Sequence, residues 1–448
     1  MEEKSYKSHR NFINKSAAAA TAMAILCFIP DHNLEGGNKI SVTDFRIITC
    51  CKAAINELNI IKGPYLQWPT KKSMTIMWET HVDASSIVVF WETEKVHSSL
   101  EGRFKSLPLT EREVTVQGKQ TIHCVTLTGL QPETTYNYIV KSEDASGRKV
   151  SSEEFAFKTA VNPETPFRFI VTSETGGFGD TTINLHIFDQ IYRYRPDFLL
   201  FPGDMVQNGV FYDEWNKFLF GPGKNVLTTV PFYLTMGNHE INGYTNGDGR
   251  RKTMFYSFVS YPEPENYYSF QYGNGQFIGL DCTMNIDYNK ESIPVLINEN
   301  EPSIGKKQYD FLVKSLSESN ALWKIVFFHY PPYVSGNYQV EFMRDLCPLF
   351  EKAGVDIVFN SHTIVYERSF PLKANMIDHE KGVIYIVAGG AGAIPSWFHP
   401  HRSFHTAEAV AVPHFVQVSV AGPYLELKAI DDAGNVFDFL ILEKSRIL

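Results

Sequence analysis

The apolar positions of this chain change period once, near Pro163. From about Ile61 to Ala160 they alternate with polar ones, as in Met74-Thr75-Ile76-Met77-Trp78-Glu79, where Met74, Ile76 and Trp78 fall on one face of a strand. Ser86–Trp91, Thr121–Leu127 and Tyr136–Val140 read as further strands, separated by turn-forming clusters such as Pro69-Thr70 and Asp144-Ala145-Ser146-Gly147. About 100 residues of this kind predict an all-β sandwich.

Beyond Pro163, apolar strands alternate with amphipathic helices. Phe167–Val171, Phe198–Phe201, Val230–Leu234, Phe277–Leu280, Trp323–Phe328, Val355–Phe359 and Val383–Val387 are the strand candidates. Ile183, Ile187, Phe188 and Ile191 recur at helical spacing, and Lys306–Leu316 and Gln339–Lys352 are further helices. Such alternation predicts an α/β domain, in which ligands collect beyond the carboxyl ends of the strands. The final stretch, Phe415–Leu442, is again strand-like, with a turn at Asp432-Ala433-Gly434-Asn435. The expected organisation is a leader over 1–30, a linker of unknown structure over 31–60, a β-sandwich over 61–160 and an α/β domain over 164–448.

Composition narrows the class. The chain has 448 residues, is 44% hydrophobic and 20% charged, and carries a net charge of −9, which argues against a nucleic-acid-binding role. Its six cysteines are too few for a disulfide framework and contain no CxxC pair, and the role of Cys50-Cys51 is open. At the N-terminus Lys4, Lys7, Arg10 and Lys15 precede an uncharged stretch from Ser16 to Pro30. That stretch is about 15 residues, short of the roughly 20 that cross a bilayer, so an export signal is expected rather than a membrane span. The expected location is therefore extracytoplasmic, periplasmic or secreted.

In Leu130-Gln131-Pro132-Glu133-Thr134-Thr135-Tyr136, a tyrosine enters a strand after a Leu-x-Pro turn, which resembles the tyrosine corner of sandwich domains. The block resembles a fibronectin type III domain, a packing module without chemistry of its own.

The chemistry sits at the strand ends of the second block. Pro202-Gly203-Asp204 follows Phe198–Phe201, Gly237-Asn238-His239-Glu240 follows Val230–Leu234, His329 follows Ile325-Val326-Phe327-Phe328, and His362 lies two residues beyond Asn360. Asp, Asn and two neutral imidazoles form a mixed oxygen and nitrogen set, suited to Zn, Fe or Mn rather than to Ca or Mg. A Gly-Asp pair or a lone histidine is ordinary by itself. Four such groups in order, each after a strand, are not.

The ordered set resembles the calcineurin-like metallophosphoesterases, and within them the purple acid phosphatases, which place a fibronectin-like domain in front. The resemblance begins at Gly63-Pro64-Tyr65-Leu66-Gln67 and runs to Leu448. It implies two packed sheets flanked by helices, with Asp204 bridging two metals and Asn238, His329 and His362 completing the second metal's shell. It also implies that His239, with Asn238, contacts substrate and that His239 stabilises phosphoryl charge or protonates the leaving group.

The first metal's shell departs from the family pattern. Where an Asp, a Tyr and a second His are expected, this chain has Glu174, Gln207 and Ile364. Glu174 keeps a carboxylate, Gln207 offers a weak neutral oxygen and Ile364 cannot ligate. One or two ions per chain are thus open. His414 and the run Gly389-Gly390-Ala391-Gly392 could line the same pocket, although turns explain the glycines equally well. The resemblance implies a phosphoester hydrolase that uses a metal-activated water. The alternative is a catalytically degraded relative that binds phosphate, glycan or protein. The acidic net charge does not count against an anionic substrate, because a bound cation reverses the field locally. Substrate, metal identity and oligomeric state are not readable at this level.

Overall fold

The computed structural model describes residues 57–93, 110–175, 181–241, 253–288 and 293–444. The expected export signal over 1–30, nearly all of the 31–60 segment, and Cys27, Cys50 and Cys51 lie outside the described residues. The chain divides into two compact units: one is built on Ile76–Val125 and Tyr136–Phe155, the other on Ala156–Leu448 with Tyr65–Thr75 and Thr126–Thr135. Among the described residues no helix is long and apolar enough to cross a membrane.

The N-terminal block is all-β. Met74–Glu79 and Ser86–Trp91, expected as two strands, form one 20-residue strand, Ser73–Glu92, with no Gly or Pro between them to break it. The expected alternation is also absent, since Met74 to Thr80 are all buried. Polar side chains on the second face are buried with partners: Glu79 pairs with Lys62 at 3.2 Å, and Thr75 Oγ1 meets Thr126 Oγ1 at 2.9 Å. Trp78 donates its indole N–H to Ser142 at 3.0 Å and stacks on the His123 ring at 4.7 Å.

The second unit contains two large sheets. In the first, Phe167–Val171, Phe198–Phe201 and Phe232–Leu234 run parallel. The antiparallel strands His414–Ala421, Tyr424–Asp431 and Val436–Glu443 extend it. The C-terminal stretch thus has a second turn, at Gly422-Pro423, in addition to the one expected at 432–435. In the second sheet, Gly275–Gly279, Trp323–Phe327, Ile357–Asn360 and Ile384–Ala388 are parallel. Tyr268–Tyr272 and Tyr366–Ser369 flank them antiparallel, and Thr406–Val410 pairs antiparallel with Tyr366–Ser369 at the edge.

Burial on both faces explains the parallel strands: every residue of Phe198-Leu199-Leu200-Phe201 is buried. Phe169 and Phe198 of the first sheet stack at 5.2 Å, and Phe277 of the second meets both edge-on at 5.2 and 5.1 Å. The helix at Thr181–Tyr194 buries Ile187, Phe188 and Ile191 as its spacing predicts. The helix expected over Gln339–Lys352 is instead a 3₁₀ turn, Glu341–Leu346, followed by an α-helix, Cys347–Ala353. Pro348 accounts for the break, because it lacks the N–H that a continuous helix needs and fits the first turn of a new one.

Candidate metal centre

Loops at the carboxyl ends of four central strands bring Asp204, Asn238, His329 and His362 to the same place. Glu174, Asp204 and His362 have left-handed backbones, with φ of 65°, 52° and 67°. Non-glycine residues rarely adopt this conformation, which costs on the order of 1–3 kcal/mol each and concentrates at functional sites. Gly203 and Gly237 let two of these loops touch. A Cβ on Gly237 would lie 2.1 Å from Asp204 Oδ1, and one on Gly203, at φ 94°, would lie 2.7 Å from the Gly237 nitrogen.

Four donor atoms converge. His329 Nε2 lies 2.9 Å from Asn238 Oδ1, 3.1 Å from Asp204 Oδ2 and 3.1 Å from His362 Nδ1. The ligand atoms of Asp204, His329 and His362 all lie within 4.8 Å of one another. Metal–ligand bonds of 2.0–2.2 Å set neighbouring donors of a tetrahedral ion about 3.3 Å apart, so this set fits one transition-metal ion with little adjustment. The far side of the His329 ring is held as well: Nδ1 faces the Pro202 carbonyl at 3.1 Å and Ser361 Oγ at 2.7 Å. Such outer contacts fix a ligand's tautomer and orientation.

Burial by itself would raise the Asp204 pKa, but the His329 and His239 imidazoles beside it hold it well below the usual carboxylate range. Burial, reinforced by His329, pushes the His362 imidazole well below its ordinary value. The neutral ring is the form that ligates. For His239, burial works downward, yet the charge of Asp204 and the Gln207 carbonyl outweigh it and the pKa is raised.

The expected site residues divide as follows. Asp204, Asn238, His329 and His362 are brought together. His239 stands beside them: its backbone N–H donates to Asp204 Oδ1 at 2.9 Å, its Nδ1 lies 2.7 Å from the Gln207 carbonyl, and its Nε2 is 3.9 Å from Asp204 Oδ2. Glu174 lies behind the cluster. Its buried carboxylate accepts the His362 N–H at 2.6 Å and sits 3.9 Å from His329 Nδ1, the nitrogen that faces away from the four donors. Burial and then the Asp204 charge push the Glu174 pKa well up.

Gln207 contacts His239 Nδ1 through its amide at 3.2 Å, and Ile364 is half-buried, with its backbone bonded to Ser396 in both directions. His414 is buried with Nδ1 against the Val412 carbonyl at 2.8 Å, and is not one of the four donors.

Two contributors were not named from sequence. Glu240, read only as part of a motif, is wholly buried and accepts the backbone N–H groups of Asp204, Met205 and Gly237 at 2.7–2.8 Å. Burial and the Asp204 charge push its pKa up to about 8, while these three donors favour its carboxylate form. Tyr288 places its hydroxyl 2.6 Å from His362 Nε2. It lies in a stretch with neither helical nor strand periodicity, so no signal marked it.

Two sheets with this donor set at their strand ends make up the fold of a metallophosphoesterase domain. The Calcineurin-like phosphoesterase family matches residues 167–366, and the Purple acid Phosphatase N-terminal domain family matches residues 61–159. The chain thus carries a calcineurin-like phosphoesterase domain behind a β-rich domain of the kind found at the N-terminus of purple acid phosphatases.

Purple acid phosphatase 15 of Arabidopsis thaliana is 27% identical over 310 residues, covering 60% of this chain and 53% of its own length. Probable inactive purple acid phosphatase 27 of the same plant is 24% identical over 380 residues, covering 72% of this chain and 59% of its own. The chain therefore spans little more than half the length of these relatives. The structure of a purple acid phosphatase from yellow lupin (Lupinus luteus) seeds shares the fold. Its TM-score is 0.69 at 21% identity, over 86% of this chain and 74% of that one.

Proposed function

We propose that this chain is a metal-dependent phosphoester hydrolase that works at a single ion of Zn, Mn or Fe held by Asp204, Asn238, His329 and His362. The observation that supports this reading is the approach of three donor atoms to His329 Nε2 within 3.1 Å. When bound, the ion supplies Lewis acidity for activating a water and drawing charge from the phosphoryl group.

The chain's own residues do the rest. Asp204 stays ionised and faces the ion. Asn238 gives a neutral oxygen that orients without adding charge. His239, with Nδ1 held by the Gln207 carbonyl and one-third of its side chain exposed, presents Nε2 to hold a phosphoryl oxygen or to protonate the leaving oxygen. Gln207 and Ile364 offer no charged donor for a second ion, and Glu174 is committed to the His362 N–H.

Those same residues favour a second reading, a catalytically degraded chain that binds phosphate, glycan or protein on this scaffold. Hydrolysis of a chromogenic phosphate monoester and diester, by chelator-stripped protein reloaded with Zn, Mn or Fe, separates the two. Turnover that needs metal and is lost in His329→Ala supports the hydrolase. Metal uptake with no turnover supports the binding module.

We also propose export from the cytoplasm, on the strength of the basic residues that precede Ser16–Pro30. N-terminal sequencing of the chain made in its own cells checks it. A mature start beyond Pro30 is expected, and an intact Met1 would contradict the proposal.

A further inference from the structure

Among the described residues, three tyrosine rings meet the imidazole of His362. Tyr330 does so at 4.9 Å and Tyr288 at 5.8 Å, and Tyr338 stands edge-on to it at 5.4 Å. Tyr330 is buried and Tyr288 half-buried, so these two box the imidazole on its protein side. Tyr338 is 53% exposed and opens the same place to solvent. We propose that Tyr338 is a specificity-determining residue, whose ring receives the aromatic leaving group of an aryl phosphoester. This rests on the reading of Asp204, Asn238, His329 and His362 as a metal centre that holds a phosphoryl group.

The backbone at Tyr338 is left-handed, with φ 67°, a conformation that a bulky side chain rarely adopts and that its surroundings must enforce. They do so through the two residues before it. The Asn337 carbonyl accepts the Thr363 hydroxyl at 2.7 Å. Gly336 bridges to Phe398 and lies so near Thr363 that a Cβ on it would stand 2.8 Å from Thr363 Cγ2. The loop is thus fastened to the residue that follows His362, and the strained ring is set beside a ligand with half its surface in water. A planar apolar group seated on that ring gains both burial and an aromatic pair. Reach selects the group: in an aryl ester the ring is bonded to the bridging oxygen itself, next to a phosphoryl group at the four donors, whereas the base of a nucleotide stands a whole sugar further out. A phenol, with a pKa of about 10, is also easier to expel than an alkanol where a single ion draws off the charge.

Calorimetric titration of phenylphosphonate, methylphosphonate and the phosphonate analogue of adenosine monophosphate into zinc-loaded full-length wild type, Tyr338→Ala and Tyr338→Phe tests the proposal without needing turnover. The wild type should bind phenylphosphonate more tightly than methylphosphonate. Aromatic pairs are worth about threefold to tenfold in affinity, so Tyr338→Ala is expected to lose that much for phenylphosphonate and to stay within about twofold of wild type for the other two. Tyr338→Phe should match the wild type for all three, since the ring and not the hydroxyl makes the contact. Equal losses of phenyl- and methylphosphonate in Tyr338→Ala would overturn the proposal by showing that Tyr338 acts through His362. A loss confined to the nucleotide analogue, or no loss at all, would also overturn it, as would equal wild-type affinities for the two simple phosphonates, a result that needs no variant to fold. If the wild type binds neither of them, the metal-centre reading fails and this proposal falls with it.

Discussion

The buried carboxylate of Glu240 accepts the backbone N–H of Asp204 at 2.8 Å, and that bond fastens the loop after Phe198–Phe201 to the loop after Phe232–Leu234. Both of its oxygens are in use, Oε2 with Asp204 and Gly237, and Oε1 with Met205. In Glu240→Gln, an amide NH₂ would replace one acceptor and set N–H against N–H in a buried space. The expected loss of stability is about 2–4 kcal/mol, measured by urea unfolding with an unchanged m-value. A loss below about 0.5 kcal/mol would mean that the carboxylate does not tie the loops.

Asp204 and Glu174 are both buried carboxylates in this region, but only Asp204 faces the donor cluster. Asp204→Asn should weaken zinc binding far more than Glu174→Gln, as calorimetric titration of the two variants would show. Equal losses would place Glu174 among the ligands and imply a second ion.

Buried histidines are expected to make the fold acid-sensitive, His123 and His414 among them, with His405 shifted the same way. Burial pushes the pKa of His123 and of His414 down to about 4, from an ordinary value near 6.5. At neutral pH both states of the chain are uncharged there, so stability is complete. As pH falls below about 6.5, the unfolded chain takes up protons that the folded chain refuses, and stability is lost until about pH 4. Each shift corresponds to about 3 kcal/mol across that window. Urea midpoints should fall steadily between pH 6.5 and 4.5, and His123→Gln should flatten that slope. His123 Nδ1 and Nε2 each meet a hydroxyl, Ser86 and Thr80, so an amide could keep part of that bonding. A slope unchanged by the substitution would contradict the assignment.

How far sequence alone carries the account depends on periodicity and on adjacency. Phe198–Phe201 was legible to the residue because a strand buried on both faces is a short, continuous apolar run, and Phe167–Val171 because only the exposed Arg168 near its start interrupts such a run. Asp204, Asn238, His329 and His362 were legible because each closely follows such a run. Tyr288 was not, since it comes from a three-residue strand and reaches a residue 74 positions away. The single Ser73–Glu92 strand was read as two, because turn clusters elsewhere in the block set an expectation that no glycine or proline fulfils here. The helix broken at Pro348 shows the opposite error, a good apolar period that carried the expectation across a residue unable to continue it.

In the proposed single-ion site, Ile364 is the residue whose replacement tests the number of ions most plainly. Its backbone is held to Ser396 on the same loop that carries His362, so a histidine at 364 would enter a fixed position two residues beyond a ligand. Ile364→His should raise the metal content above one ion per chain, as measured by elemental analysis after dialysis. An unchanged content would show that the loop does not direct this position toward Asp204.

The central claim, a phosphoester hydrolase built on one metal ion, is tested most directly by titrating activity against metal. Chelator-stripped protein receives increasing zinc or manganese, and the rate of hydrolysis of a chromogenic phosphate monoester is followed at each addition. The account predicts a rate that rises in proportion to added metal and levels off at one equivalent per chain. No turnover at any metal concentration, or a rate that stays at baseline until a second equivalent is added, would contradict it.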